Sequence, residues 1–257
     1  MASNFLTGTT VLTGRSMKHV TRSPDTIITT AVMPIAIMLL FVYVLGGAVT
    51  TGQPAGSSGY VDYVLPGILL MTIAMGVSYT SFRLFTDMQG GIFDRFHSMP
   101  IARSSVLWAH VVTSLVANLV SVAIVIGVAL IMGFRTGTGL LGWLAVLGIL
   151  LLFILALTWV AIIAGLSAKS VEGASVFSYP LIFLPFISSA FVPTASMPGP
   201  VRWFAENQPV TSIVNTIRSL FAQQSVGGDI WVALSWCIGI TLVAYAAAMM
   251  VYRKKIS

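Results

Sequence analysis

The sequence predicts an all-α polytopic membrane protein with six transmembrane helices, and three observations carry that prediction. Hydrophobic residues make up 57% of the 257 positions and charged residues only 8%, with a mean hydropathy of +0.96. Soluble domains run at roughly 45–50% apolar and about 25% charged, so this chain cannot cover a water-facing surface. Charge-free apolar runs of about the 20 residues a bilayer requires recur six times. The lysines and arginines then fall beside those runs, mostly on alternate connections.

The runs lie at 27–46, 63–82, 106–132, 140–166, 176–192 and 230–251. In lipid each must satisfy its backbone amides internally, which makes them helices. The fifth is short and contains Pro180 and Pro185. Before the first, Arg15, Lys18, Arg22 and Asp25 leave no apolar core of signal-peptide length, so no cleavable leader is expected. Phe5, Leu6, Val11, Leu12, Met17 and Val20 are mixed among those charges, a pattern suited to a helix lying in the membrane interface.

Orientation follows from the basic residues. Arg15, Lys18 and Arg22 precede the first span, Arg83, Arg95 and Arg103 follow the second, Lys169 follows the fourth, and Arg253, Lys254 and Lys255 end the chain. The opposite side holds Arg135, Arg202 and Arg218. This bias places both termini in the cytoplasm. Despite a net charge of +6, the expected partners are membrane lipids rather than nucleic acid, because the charges flank spans.

Two connections have internal pattern. In the cytoplasmic loop 83–105, Gly90-Gly91 breaks the chain and Pro100 closes a short stretch. Within it Ile92, Phe93, Phe96 and Met99 share one helical face, while Asp94, Arg95, His97 and Ser98 take the other. This rod of about 12 Å has an apolar stripe that needs a partner or the membrane surface. The outer segment 193–229 is punctuated by prolines and glycines. Val210, Ile213, Val214, Ile217, Leu220 and Phe221 recur at helical spacing, and Pro200 opens a shorter helix carrying Trp203 and Phe204. A pair of short helices dipping into the outer leaflet is expected.

Several chemistries are disfavoured. The spans carry no ionisable group at bilayer depth, where such groups usually mark ion or proton pathways. That weakens the alternative of a secondary transporter or channel. Gly76-Val77-Ser78-Tyr79 with His110 is a faint nucleophile pattern, better read as close helix packing. His19, His97 and His110 have no metal-ligand spacing, and neither a His-Glu-x-x-His motif nor a phosphate-binding loop is present in the sequence. The chain is therefore expected to be non-catalytic, without a metal or cofactor of its own.

Several fragments stand in a characteristic order. They are Arg22-Ser23-Pro24-Asp25, Pro34, Gly46-Gly47, Tyr63-Val64-Leu65-Pro66-Gly67, and Gly90-Gly91-Ile92-Phe93-Asp94-Arg95-Phe96-His97-Ser98-Met99-Pro100-Ile101-Ala102-Arg103. Met197-Pro198 through Trp203-Phe204, Asn207-Gln208-Pro209-Val210-Thr211 and Arg218 complete the series. Together they resemble the type-2 ABC exporter permeases, in particular the daunorubicin-resistance-type drug permeases. The resemblance implies a permease subunit in the bacterial cell membrane, paired with a second copy or close paralogue. A separate cytoplasmic ATPase would bind ATP and Mg and drive export of a hydrophobic or amphiphilic substrate. It also implies coupling to the ATPase through Gly90, Gly91, Ile92, Phe93, Asp94, Arg95, Phe96, Met99, Pro100 and Arg103. An outer gate would be formed by Trp203, Phe204, Pro209, Ile213, Ile217 and Arg218. Mid-span Met71, Met75, Tyr79, Phe177, Tyr179 and Phe183 are candidates for the substrate path.

The topology is testable in a Cys237→Ser background carrying a single cysteine at Ser98 or Ser225. An impermeant thiol reagent applied to intact cells should label Ser225→Cys and spare Ser98→Cys; the opposite pattern would invert the assignment.

Overall fold

The computed structural model describes residues 28–46, 58–90 and 105–256. The expected interfacial helix before residue 27 and the segment 91–104 lie outside these. The outer and inner ends of the bundle are named from the lysine and arginine bias.

Every element among the described residues is helical. The chain begins with α1, Met33–Leu39, flanked by wide π-helical turns at Ile28–Val32 and Leu40–Leu45. Pro34 stands in the first turn of α1; it has no N–H to return to the preceding turn, and the ladder widens on that side. Then come α2, Ser58–Gln89, α3, Ser105–Ile131, and α4, Leu140–Ser167. Two six-residue helices come next, α5, Val171–Val176, and α6, Ser178–Phe183, with a 3₁₀ turn at Leu184–Ile187. The outer hairpin consists of α7, Gly199–Asn207, and α8, Pro209–Phe221, before α9, Asp229–Ile256.

Four helices, α2, α3, α4 and α9, are long and apolar enough to cross a membrane. The first and fifth expected spans are shorter apolar stretches, Thr30–Val44 and Val171–Ile187. The fifth also starts earlier than the apolar run suggested. The Ser170 side chain accepts a hydrogen bond from the Gly173 N–H at 3.0 Å and so nucleates the helix ahead of the apolar residues. Pro180 and Pro185 tighten the rest of this stretch, and Ser188 is already extended.

α2 is the most buried of the long helices and α9 the least. α1, α3, α4, α5, α6 and α8 all pack on α2, while α4 packs most extensively on α9. One apolar cluster joins α2, α3, α4 and α8 through residues such as Leu65, Ile68, Val125, Phe153 and Ile217. A second, toward the inner end, centres on Trp159 and includes Leu84, Leu107 and Tyr252. Trp159 meets Trp108 and Tyr245 edge-on, with ring centroids 5.5 and 4.8 Å apart.

Both ends of the outer face close with the same device. After α3 the Phe134 N–H returns to the Ala129 carbonyl at 2.9 Å, with Gly133 at φ 106°, a Schellman cap. After α8 the Gln224 N–H reaches the Ser219 carbonyl at 2.9 Å, and Gln223 takes the left-handed position at φ 55°. Glycine usually holds that place. Here the Gln223 side chain donates to the Gly137 carbonyl, tying α8 to the α3–α4 loop.

Close packing of α2 on α4 depends on Gly165, where an added Cβ would stand 2.8 Å from the Ser81 carbonyl oxygen. Gly165→Ala should lower stability by about 1–3 kcal/mol, the usual cost of overpacking. Thermal unfolding in detergent should show the loss for Gly165→Ala and not for Gly148→Ala, whose Cβ would meet nothing within 4 Å.

Candidate functional site

Two polar constellations interrupt the apolar interior, one at each end of α2. The outer one is built around Arg218. The apolar stripe of α8 puts Ile213 and Ile217 fully in the core, which carries the neighbouring Arg218 inward to the first turns of α2. Its guanidinium lies 3.9 Å from the centroid of the Tyr63 ring. Nη2 donates to the Tyr63 and Ser189 carbonyls at 3.1 and 2.8 Å, and Nη1 to Asn215 Oδ1 at 3.3 Å. The Tyr63 hydroxyl donates to that same Ser189 carbonyl at 3.0 Å, and the Ser189 hydroxyl to Asn215 Oδ1 at 2.7 Å. One fork thus clamps α8, α2 and the end of the broken fifth stretch, a geometry lysine cannot reproduce.

Other contacts tie the same end of the bundle. Gln208 Nε2 donates to the Ile187 carbonyl at 2.8 Å. Thr136 and Thr138 cap the last carbonyls of α8, donating to Phe221 and Leu220 at 2.7 Å each. Pro209 opens α8. Beside the clamp, Asp62, Arg135, Phe134 and Phe221 line a cavity of about 280 Å³. Trp203 and Phe204 face outward, 69% and 44% exposed, as side chains at a membrane interface would. On α7, Arg202 Nε bonds Glu206 Oε1 at 2.8 Å and holds that carboxyl below its ordinary range.

The inner constellation lies between α2 and α3. On α3 the residues His110, Thr113, Ser114, Asn118 and Ser121 form a polar stripe; on α2, Gly76, Tyr79, Thr80 and Arg83 face it. Thr80 Oγ1 donates to Ser114 Oγ at 3.0 Å, and Ser114 Oγ is 2.9 Å from Thr158 Oγ1 of α4. Three helices are joined by one hydroxyl chain. His110 Nε2 lies 3.4 Å from Asp87 Oδ2. The faint Ser78–His110 nucleophile pattern is not assembled, since Ser78 instead accepts from Ser178 at 2.8 Å and His110 faces Asp87.

Of the sequence-derived path residues, Met71 is in the core, and Met75 and Phe177 are half-buried against it. Tyr79 lines the inner polar gap. Tyr179 and Phe183 on α6 point away from the bundle, 57% and 63% exposed. Within one chain the six do not form a common path. Of the coupling residues, Gly90 is described: it is exposed in the turn ending α2, its N–H bonded to the Thr86 carbonyl at 2.9 Å. The sequence reading missed the facing polar stripes. Their signal was present, because His110, Ser114, Asn118 and Ser121 recur at helical spacing inside an apolar run.

Arg218→Lys should loosen the hairpin. Losing one hydrogen bond to a charged donor is worth about 1.5–3 kcal/mol, so amide exchange across residues 209–221 should accelerate by roughly 10–100-fold. Unchanged protection in that variant would show that the arginine does not anchor the hairpin.

The profile of the ABC-2 type transporter family matches residues 7–222. The daunorubicin resistance ABC transporter permease protein DrrB1 of Streptomyces coeruleorubidus is 27% identical over 245 residues, which is 94% of this chain and 84% of that protein. The probable doxorubicin resistance ABC transporter permease protein DrrC of Mycobacterium tuberculosis is 26% identical over 254 residues, 97% of this chain and 90% of that one. With most of its length inside the family profile and apolar helices long enough to span a bilayer, this chain belongs to the ABC-2 type transporter family of membrane permeases.

Proposed function

We propose that this chain is the membrane-spanning subunit of an ATP-driven exporter. It moves a hydrophobic or amphiphilic substrate, such as a drug, natural product or lipid-like molecule, out of the cytoplasm. The observation that carries the reading is near-full-length similarity to two permeases whose names tie them to drug resistance. The geometry supports it at both ends of α2. At the outer end Arg218 ties α8 to α2 and to Ser189, and toward the inner end a small polar pocket lies between α2 and α3. A permease of this kind opens and closes those ends in alternation.

Energy comes from a separate cytoplasmic ATPase that holds ATP and Mg. Coupling runs through residues 90–103, where Phe93 and Phe96 seat in a groove of the ATPase and Asp94 and Arg95 orient the contact. A second copy of the chain, or a close paralogue, completes the pathway within the bacterial cell membrane, with all termini in the cytoplasm. The six-span topology follows if the two shorter apolar stretches, 30–44 and 171–187, also cross.

The ATPase contact is the sharpest test. Burying one Phe contributes roughly 1.5–3 kcal/mol, so Phe96→Ala should weaken co-purification of the ATPase by about 10–100-fold while the permease still inserts and remains monodisperse. A photoreactive residue at position 96 that captures only lipid, never an ATPase, would sink the coupling assignment.

A further inference from the structure

The cavity beside the Arg218 clamp is bordered by a cation whose donors are only partly used. Arg135 Nη1 donates to the Leu130 and Phe134 carbonyls, each at 2.9 Å, and so caps the end of α3. Nε and Nη2 have no acceptor among the described residues, and the side chain is exposed. Those two nitrogens form the edge of a guanidinium that grips a phosphate or carboxylate through parallel N–H groups. The bonds from Nη1 orient that edge before anything binds.

The walls set the sign and size of the occupant. Arg135 and Arg218 line the cavity against one carboxylate, Asp62. Asp62 takes the Arg135 backbone N–H, and its Oδ1 is closed off from contact. One positive charge is left over, which favours an anion. The volume of about 280 Å³ is that of roughly nine waters at ~30 Å³ each, close to the about eight to ten heavy atoms of a phosphodiester with a small alcohol head. Exposed Arg135, Ala222 and Gln224 on the rim leave the cavity open to the surface. The neighbouring chain is apolar and uncovered: Ile131, which ends α3, is 87% exposed, and Leu141 in the first turn of α4 is 83% exposed. In a bundle that crosses a bilayer such side chains meet acyl chains, and a polar cavity at the end of the spans lies at head-group level.

We propose that this cavity seats the phosphodiester head group of a membrane phospholipid, with Arg135 Nε and Nη2 as its donors. The acyl chains lie on the exposed apolar residues beside it, which a free phosphate would leave unused. The walls come from α2, the end of α3 and α8, so a bound head group braces the hairpin against α2 next to the Arg218 clamp. The site requires neither a transported cargo nor an ATPase.

The test uses the full-length protein, delipidated in detergent, with native mass spectrometry counting bound molecules. The probes are dioctanoylphosphatidylglycerol, dioctanoylglycerol (the same tails without phosphate) and inorganic phosphate. One phospholipid per chain should bind at least about 10-fold more tightly than dioctanoylglycerol, the factor charge-assisted hydrogen bonds supply, and should raise the unfolding temperature. Arg135→Gln should bring the ratio near one. Ala222→Glu puts a second carboxylate on the rim and touches none of the Arg135 hydrogen bonds. It should also bring the ratio near one, and it decides the matter if Arg135→Gln does not fold. Equal retention of the two lipids by the wild type, or a preference that survives either substitution, overturns the site. Displacement of the phospholipid by inorganic phosphate at equal concentration would assign the anion to the aqueous phase and overturn the lipid.

Discussion

An arginine carried into the end of a membrane bundle must find acceptors there, and the outer architecture follows from how Arg218 finds its own. Its nitrogens bond two backbone carbonyls and one amide oxygen, and its face lies on Tyr63. None of these four partners is a carboxylate. A clamp made from carbonyl dipoles and a π-face holds three segments at once without fixing a pair of full charges in lipid, where the desolvation cost of an ion pair can exceed its attraction. Ile213 and Ile217 bring the arginine to this place by burying the adjacent face of α8, so the apolar stripe and the clamp are one device.

What the sequence disclosed was what depends on a single segment. Charge-free length located α3 and α4 to within a residue or so, and the spacing of Val210, Ile213, Val214 and Ile217 located α8 together with its buried face. Prolines and glycines marked the hairpin for the same reason, since their constraint is local. The start of the fifth stretch was misplaced because apolar content was read and the Ser170 cap was not. Contacts between segments were not legible. Nothing local to Gly76 announces Asn118, and a stripe of serine, threonine and glycine in a membrane helix is ordinary packing chemistry until a facing stripe is known.

The two polar constellations lie on one helix. Tyr63 sits in the second turn of α2 and Gly76, Thr80 and Arg83 lie farther along the same rod, which is buried on most sides. Pro66 falls between them. A proline inside a helix removes one backbone hydrogen bond and relieves the neighbouring turn of a constraint, so α2 can bend more readily at this turn than elsewhere along its length. The Arg218 clamp lies on the outer side of that proline and the tight Gly76–Asn118 contact on the inner side.

That division constrains how a change at one end could reach the other. If α2 moved as a straight rod, parting Tyr63 from Arg218 would also shift Gly76 against Asn118, where the contact is already too tight to admit a Cβ. Close-packed contacts of this kind resist continuous deformation and change by discrete steps. If α2 instead bent at Pro66, the clamp could open while Thr80 kept its hydrogen bond to Ser114. The hydroxyl chain joining α2, α3 and α4 favours the bend, because a rod-like shift must break buried hydrogen bonds in a medium that offers no water to replace them. The polar network that joins these helices is therefore also what allows the outer end of α2 to move separately.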